Sequence, residues 1–217
     1  MAGVPDAERR DRPDRDAPLV QASLALPEAF FARPAAVVAR ELLGADLVST
    51  VGGKRVVARI VESEAYIGPD DDASHANARL GRTLRNEAMF GPPGIAYVYR
   101  IYGIHWCLNV VTDTIGHPAA VLVRAATPIE GSAVAALRRG GRPEVELMRG
   151  PGNLCSALGV TGALNFHSFD RAPLQLVAGR AVPESGVERG PRIGITRAAD
   201  QPFRFWVRGE PSVSRPR

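Results

Sequence analysis

Ile95-Ala96-Tyr97-Val98-Tyr99-Arg100-Ile101-Tyr102-Gly103-Ile104-His105-Trp106-Cys107-Leu108-Asn109-Val110-Val111-Thr112 is two runs of strand-forming residues around one glycine. β-Branched and aromatic side chains suit a pleated surface and Gly103 suits a turn, so the stretch predicts a hairpin of Ile95–Tyr102 and Trp106–Thr112. Three of the chain's four tyrosines fall within six of these residues. Alternation puts Tyr97, Tyr99 and Ile101 on one face and Val98, Arg100 and Tyr102 on the other, so the rings form no single stacking surface. Tyr102, beside the glycine at the tip, could protrude as a wedge between stacked bases, although its spacing alone favours a core or interface tyrosine. A three-residue turn, Gly103–His105, sets Asn109 opposite Tyr99 and on the same face. There its amide could test the edge of a stacked base or simply satisfy a backbone group.

Working outward, Leu47–Val51 and Arg55–Tyr66 read as a second hairpin turning at Gly52-Gly53-Lys54, and Ala119–Ala126 as a further strand. Pro34–Leu43 reads as a helix opened by proline and stopped at Gly44. Gly131–Arg139 and Asn153–Leu158 also read as helical, with short strands at Leu174–Val177, Arg192–Ile195 and Phe203–Val207. Gly68–Pro93 has the composition of a functional surface loop. The expected fold is a single compact α+β domain: a curved, mostly antiparallel sheet of at least five strands, with peripheral helices and a protruding β-hairpin.

At 217 residues and 45% hydrophobic, the chain is large enough to bury a core without disulfides or a structural metal. No apolar run is long enough to cross a bilayer, so no membrane partner is expected. The charged N-terminus lacks the apolar core of a secretory signal, and two scattered cysteines suit a reducing compartment, which together predict a cytoplasmic protein. A formal net charge of +4 is compatible with a polyanionic partner. Lys54 is the only lysine, so arginine supplies nearly all the positive charge.

Chemistry concentrates on the long strand ending Val61-Glu62-Ser63-Glu64-Ala65-Tyr66. Strict alternation places Ala58, Ile60, Glu62, Glu64 and Tyr66 on one face, with Val57, Arg59, Val61 and Ser63 on the other. Glu62 reads as the partner of an arginine; Glu64, nearer the strand end, reads as the better exposed and reactive carboxylate. Arg124 lies inside an apolar strand, where it needs a carboxylate or phosphate unless it snorkels from the strand end. The histidines show no ligand spacing, so neither a catalytic metal nor a cofactor is expected; His75, alone in its loop, reads as a surface residue.

With Glu64-Ala65-Tyr66, Ala73-Ser74-His75, Arg85-Asn86, Met89-Phe90-Gly91-Pro92-Pro93-Gly94 and the Tyr97–Asn109 stretch in that order, the chain resembles the alkyladenine (3-methyladenine) DNA glycosylase family. The resemblance continues through Val123-Arg124-Ala125, Gly150–Cys155 and Arg192-Ile193-Gly194-Ile195, covering roughly Leu26–Val213. It implies a monomeric, monofunctional enzyme of base-excision repair that flips alkylated or deaminated purines out of double-stranded DNA and hydrolyses the N-glycosidic bond. On this resemblance Glu64 is the base that activates water, and Arg124 contacts the flipped nucleotide's phosphate and the water site. Tyr66, His75 and Tyr99 enclose the base, Asn109 disfavours normal guanine and Tyr102 fills the gap in the duplex. It also implies a glycosylase domain over residues 18–217 and attachment to the nucleoid through DNA; the charged composition of residues 1–17, which the resemblance does not reach, reads as a disordered tail. A non-catalytic nucleic-acid binding module and a free-nucleoside hydrolase are the competing readings. The loop after His75 is longer than the family's usual one, and Asn153 stands where a lysine is common.

Overall fold

A computed structural model describes residues 24–214; the expected tail over residues 1–17 lies outside them. Four short helices, α1 (Glu28–Phe31), α2 (Ala35–Glu41), α3 (Ser132–Arg138) and α4 (Pro151–Leu158), accompany eight strands. The strands are β1 (Asp46–Ser49), β2 (Val56–Tyr66), β3 (Ala96–Ile101), β4 (His105–Thr112), β5 (Ala119–Glu130), β6 (Leu174–Val177), β7 (Val187–Gly190) and β8 (Arg204–Val207). All strand pairs are antiparallel, in the order β3-β4-β5-β2-β1-β6. One edge of β2 pairs with β5; the other is shared, by β1 over Val56–Arg59 and by β8 over Glu62–Glu64, with β7 outside β8. Among the described residues no helix is long and apolar enough to cross a membrane.

Pro34 sits at the N-cap of α2, where its missing N–H costs nothing, and Val38, Ala39 and Leu42 bury the helix against the sheet. The chain leaves through Gly44 at φ 88°, where a Cβ would stand 1.9 Å from the Arg180 carbonyl oxygen, so no other residue fits. Alternation then builds two layers. Val56, Ala58, Ile60, Ala96, Val98, Leu108, Val110, Val121 and Val123 face α2 and α4 in one apolar core. On the opposite face Tyr97, Val111 and Ala120 pack beneath Ala76, Ala88 and Met89 of the long loop. The functional cavity opens on this loop side.

Strict alternation fails midway along β2. Pairing with β5 skips Val61 on β2 and Arg124 on β5, two bulges that cancel in register and together turn both strands over. Ala58 and Ile60 face the helices before the bulge; Ser63 and Ala65 face them after it, the Ser63 hydroxyl donating to the Ala39 carbonyl at 2.7 Å. Glu62, Glu64 and Tyr66 therefore do not share a face with Ala58 and Ile60. Without the bulges both carboxylates would enter the apolar layer, where an unpaired charge is very costly.

Other departures are local. Ile101 pairs with His105, so the three-residue turn is Tyr102-Gly103-Ile104, and Asn109 stands opposite Tyr97 rather than Tyr99 while keeping the same face. Residues 192–195 form no strand; the Ile193 N–H and carbonyl bond to the Glu64 and Arg124 side chains instead of a ladder. β7 and the single turn α1 went unforeseen, each being four residues without a clear period.

Candidate active site

The bulged end of β2 sends Glu64 under the floor of a cavity of about 470 Å³ lined by Tyr66, His75, Tyr97, Tyr99, Tyr102, Asn109 and Arg124, among others. Glu64 is not the exposed carboxylate that its position near the strand end suggested: it is fully buried, because residues 192–195 cross above it. Its Oε1 accepts the Ile193 N–H at 2.8 Å and lies 3.3 Å from Arg124 Nη1; its Oε2 accepts the Tyr66 hydroxyl at 3.0 Å. Burial pushes the carboxyl's proton affinity up, more strongly than Arg124, the Ile193 N–H and the Tyr66 hydroxyl pull it down, and Glu62 adds to the rise. A carboxylate so placed is a stronger base than one in water.

Tyr66 is held from behind. The Arg192 guanidinium lies 4.7 Å from its ring centroid and is itself buried in a two-pronged pair with Asp71, at 2.5 and 2.8 Å. Across the cavity, Tyr97 and Tyr99 stack at 5.3 Å, and the His75 ring meets Tyr99 edge-on at 4.5 Å. His75 Nδ1 is 2.9 Å from the Tyr97 hydroxyl, and the buried Asn86 amide donates to the His75 carbonyl at 2.9 Å. His75 is thus an anchored wall and not a surface loop residue. Burial and the nearby Arg85 charge lower its basicity, while burial pushes the Tyr97 phenol up to about 12, so both favour neutral forms.

Asn109 donates from Nδ2 to the Tyr97 carbonyl at 3.0 Å, the backbone-satisfying role, and also lines the cavity. Tyr102 is 81% exposed at the rim. Arg124 does not snorkel; it is buried between Glu62 and Glu64 and donates to the Ile193 carbonyl at 3.5 Å. Asn153, in the first turn of α4, donates to the Arg149 carbonyl at 2.7 Å and also lines the cavity. The structure therefore brings Tyr66, His75, Tyr99, Tyr102, Asn109 and Arg124 around one space, with Glu64 directly beneath.

Sequence reasoning missed Asp71, Arg192 and the Ile193 N–H. The Arg192–Ile195 motif of the resemblance was the available signal, but no role followed from it because the carboxylate partner of Arg192 lies 121 residues away. Among the described residues no group of three or more His, Cys, Asp or Glu is arranged to hold a metal ion. Chemically, the arrangement offers a flat aromatic slot, neutral polar groups along it and a base below.

A family model described as methylpurine-DNA glycosylase matches residues 29–211. Among similar proteins, one of Myxococcus xanthus is 56% identical over 193 residues, spanning 88% of this chain and 93% of its own. One of Rhodopseudomonas palustris is 49% identical over 191 residues, covering 88% and 91%, and one of Nitrosospira multiformis is 47% identical over 195 residues, covering 89% and 96%. All three carry the name "Putative 3-methyladenine DNA glycosylase".

Proposed function

The chain belongs to the methylpurine-DNA glycosylase family, and from that premise we propose that it removes alkylated purines from DNA in base-excision repair by hydrolysing the N-glycosyl bond, with Glu64 as general base. The observation that carries the residue assignment is a buried carboxylate of raised proton affinity beneath an aromatic cavity of purine-accepting shape. Its volume falls in the roughly 300–1,000 Å³ range of ordinary ligand pockets.

The damaged nucleotide leaves the stack and its base enters between Tyr66 on one side and Tyr99 with His75 on the other. A neutral His75, its Nδ1 accepting from the Tyr97 hydroxyl, keeps Nε2–H free to donate to the base's polar edge. Asn109 disfavours normal guanine by crowding its exocyclic amine, a penalty that the cationic leaving group of an alkylated guanine offsets. Tyr102 occupies the vacated place in double-stranded DNA. As water adds to the sugar C1′, Glu64 takes its proton and the glycosyl-bond electrons leave with the purine, whose alkylation already supplies positive charge. Residues 192–195 form neither helix nor strand, and Gly194 sits at φ 78°, so no sheet ladder has to break for that water to be admitted. Arg124 steadies the carboxylate and faces the nucleotide's phosphate. Lys54, the only lysine, does not line the cavity, so no lysine amine is placed for a Schiff base and water is the nucleophile in this reading. The enzyme works as a monomer, in the cytoplasm at the nucleoid.

Glu64→Gln should slow release of 3-methyladenine or hypoxanthine by about 10²–10⁴-fold, the usual contribution of a general base, while lesion-duplex binding survives. Release at the wild-type rate would overturn the assignment of the base, whereas a wild-type protein that binds the lesion duplex without releasing its base would favour a binding module.

A further inference from the structure

Glu62 takes no part in the chemistry just described, yet it is one of the most heavily bound carboxylates of the fold. It is fully buried. Arg204 on β8 donates from Nε to its Oε1 at 2.6 Å, and the Ser214 N–H donates to its Oε2 at 2.7 Å. Arg204 Nη2 in turn donates to the Ser214 carbonyl at 2.8 Å, so the end of the described chain is clasped onto Glu62. Arg124 completes the row. Its Nε lies 3.2 Å from the same Glu62 Oε1 without an aligned hydrogen bond, while its Nη1 is 3.3 Å from Glu64. The charges alternate Arg204, Glu62, Arg124, Glu64, and one guanidinium is shared between two carboxylates.

We propose that Glu62 is a positioning residue for base release: clamped by Arg204 and the Ser214 backbone, it sets how far Arg124 leans towards Glu64. The proposal rests on Glu64 being the base. A guanidinium divided between two acids leans to whichever is less well satisfied elsewhere; Arg204 and Ser214 bind Glu62 on one side, Ile193 and Tyr66 bind Glu64 on the other, and Arg124 stands 3.2 and 3.3 Å from the two, so loss of a bond at either acid shifts it. A bond that only fastened β8 to β2 would need neither the second arginine nor the second acid. Among the described residues the other titratable groups around Glu64 are Tyr66 on β2 and Cys107 on β4, which line the cavity, and Arg192, buried with Asp71 behind Tyr66. Changes at Glu62 and Arg204 therefore alter the row from its far end.

The experiment is single-turnover release from duplex DNA carrying 7-methylguanine, a cationic leaving group that needs no acid, measured across pH together with the melting temperature. Glu62→Gln removes a like charge and frees Arg124 for Glu64, so the acid limb should move to lower pH. Arg204→Gln leaves Glu62 to draw Arg124 away, so the limb should move to higher pH. On the limb these shifts read as several-fold changes of opposite sign relative to each variant's own plateau. Both variants should lower the melting temperature, which a purely structural pair would also do; only the opposed limbs separate the two accounts. Arg204→Lys, which keeps the charge and spares the fold, should hold the limb near wild type. Limbs that stay put, or move the same way in both glutamine variants, would overturn the proposal, and either variant alone has a signed expectation should the other fail to fold. Glu64→Gln serves as the control: release at the wild-type rate would instead bring down the general-base reading.

Discussion

Placing Glu64 where it can act as a base makes it a liability to the folded state. Burial raises its proton affinity above that of the unfolded chain, so the group's contribution to stability is fully present below the unfolded carboxylate range and is lost as pH rises through the folded value. At pH 8 the ionised side chain is thus a net cost that a neutral amide would not carry. Glu64→Gln should melt at a higher temperature than wild type at pH 8, and the advantage should shrink as the pH falls towards the ordinary carboxylate range. Thermal melts at several pH values check this; a variant less stable at every pH would show that the hydrogen bonds of Glu64 outweigh its desolvation. At this scale much was legible. Glu64 and Tyr66 are two apart at a strand end, and the Tyr66 hydroxyl reaches Glu64 as that spacing implies. What no spacing could reveal was the cover over Glu64, because Ile193 lies 129 residues further on.

Elements explain which parts of the pattern held. The β3–β4 hairpin was readable because its tyrosines, valines and single glycine fix both the period and the turn, and an error of one step in the turn left parity unchanged. β2 was misread because bulges leave no mark in composition: Val61 looks like an ordinary strand residue, Arg124 stood out only for its charge, and the offset between the two appears only once the strands are paired. The hairpin tip also carries a testable strain. Tyr102 adopts φ 53°, a left-handed conformation that is unfavourable for a bulky side chain, and it does so with its ring 81% exposed. Such a cost without burial is expected where the ring works on a ligand. Tyr102→Gly relieves the conformation but removes the wedge, so the melting temperature should change little, within about 0.5 kcal/mol of stability, or rise. Release from a lesion duplex should nevertheless fall several-fold, with much less effect on a single-stranded substrate whose base is already unstacked. Equal losses on both substrates would remove Tyr102 from the flipping step.

Taken as a whole, the molecule is basic, but its basicity is not spread evenly over a DNA-binding face. Arg59 pairs with Asp46, Arg192 with Asp71 and Arg204 with Glu62, while Arg138 and Arg139 donate to main-chain carbonyls, so many arginines hold the fold together. This is why a net charge of +4 said little about partners when read from composition alone. Arg85 and Arg100 are different. Both are exposed beside the tyrosine hairpin: Arg85 lies over the Tyr99 ring at 5.4 Å and Arg100 over the Trp106 ring at 5.5 Å, and neither has a carboxylate partner among the described residues. If DNA follows the hairpin as proposed, these two charges would meet phosphates beside the extruded nucleotide. The logarithm of duplex affinity should therefore fall linearly with the logarithm of salt concentration, and Arg100→Gln should make that slope shallower by about 0.9, the share of a single neutralised phosphate. Because a phosphate contact carries no sequence or lesion information, the same substitution should weaken damaged and undamaged duplexes alike, whereas Asn109→Ala should change their ratio. Titrations of both duplexes over a range of salt separate the two effects. A slope indifferent to Arg100 would move the DNA path away from the hairpin, and with it the role proposed for Tyr102.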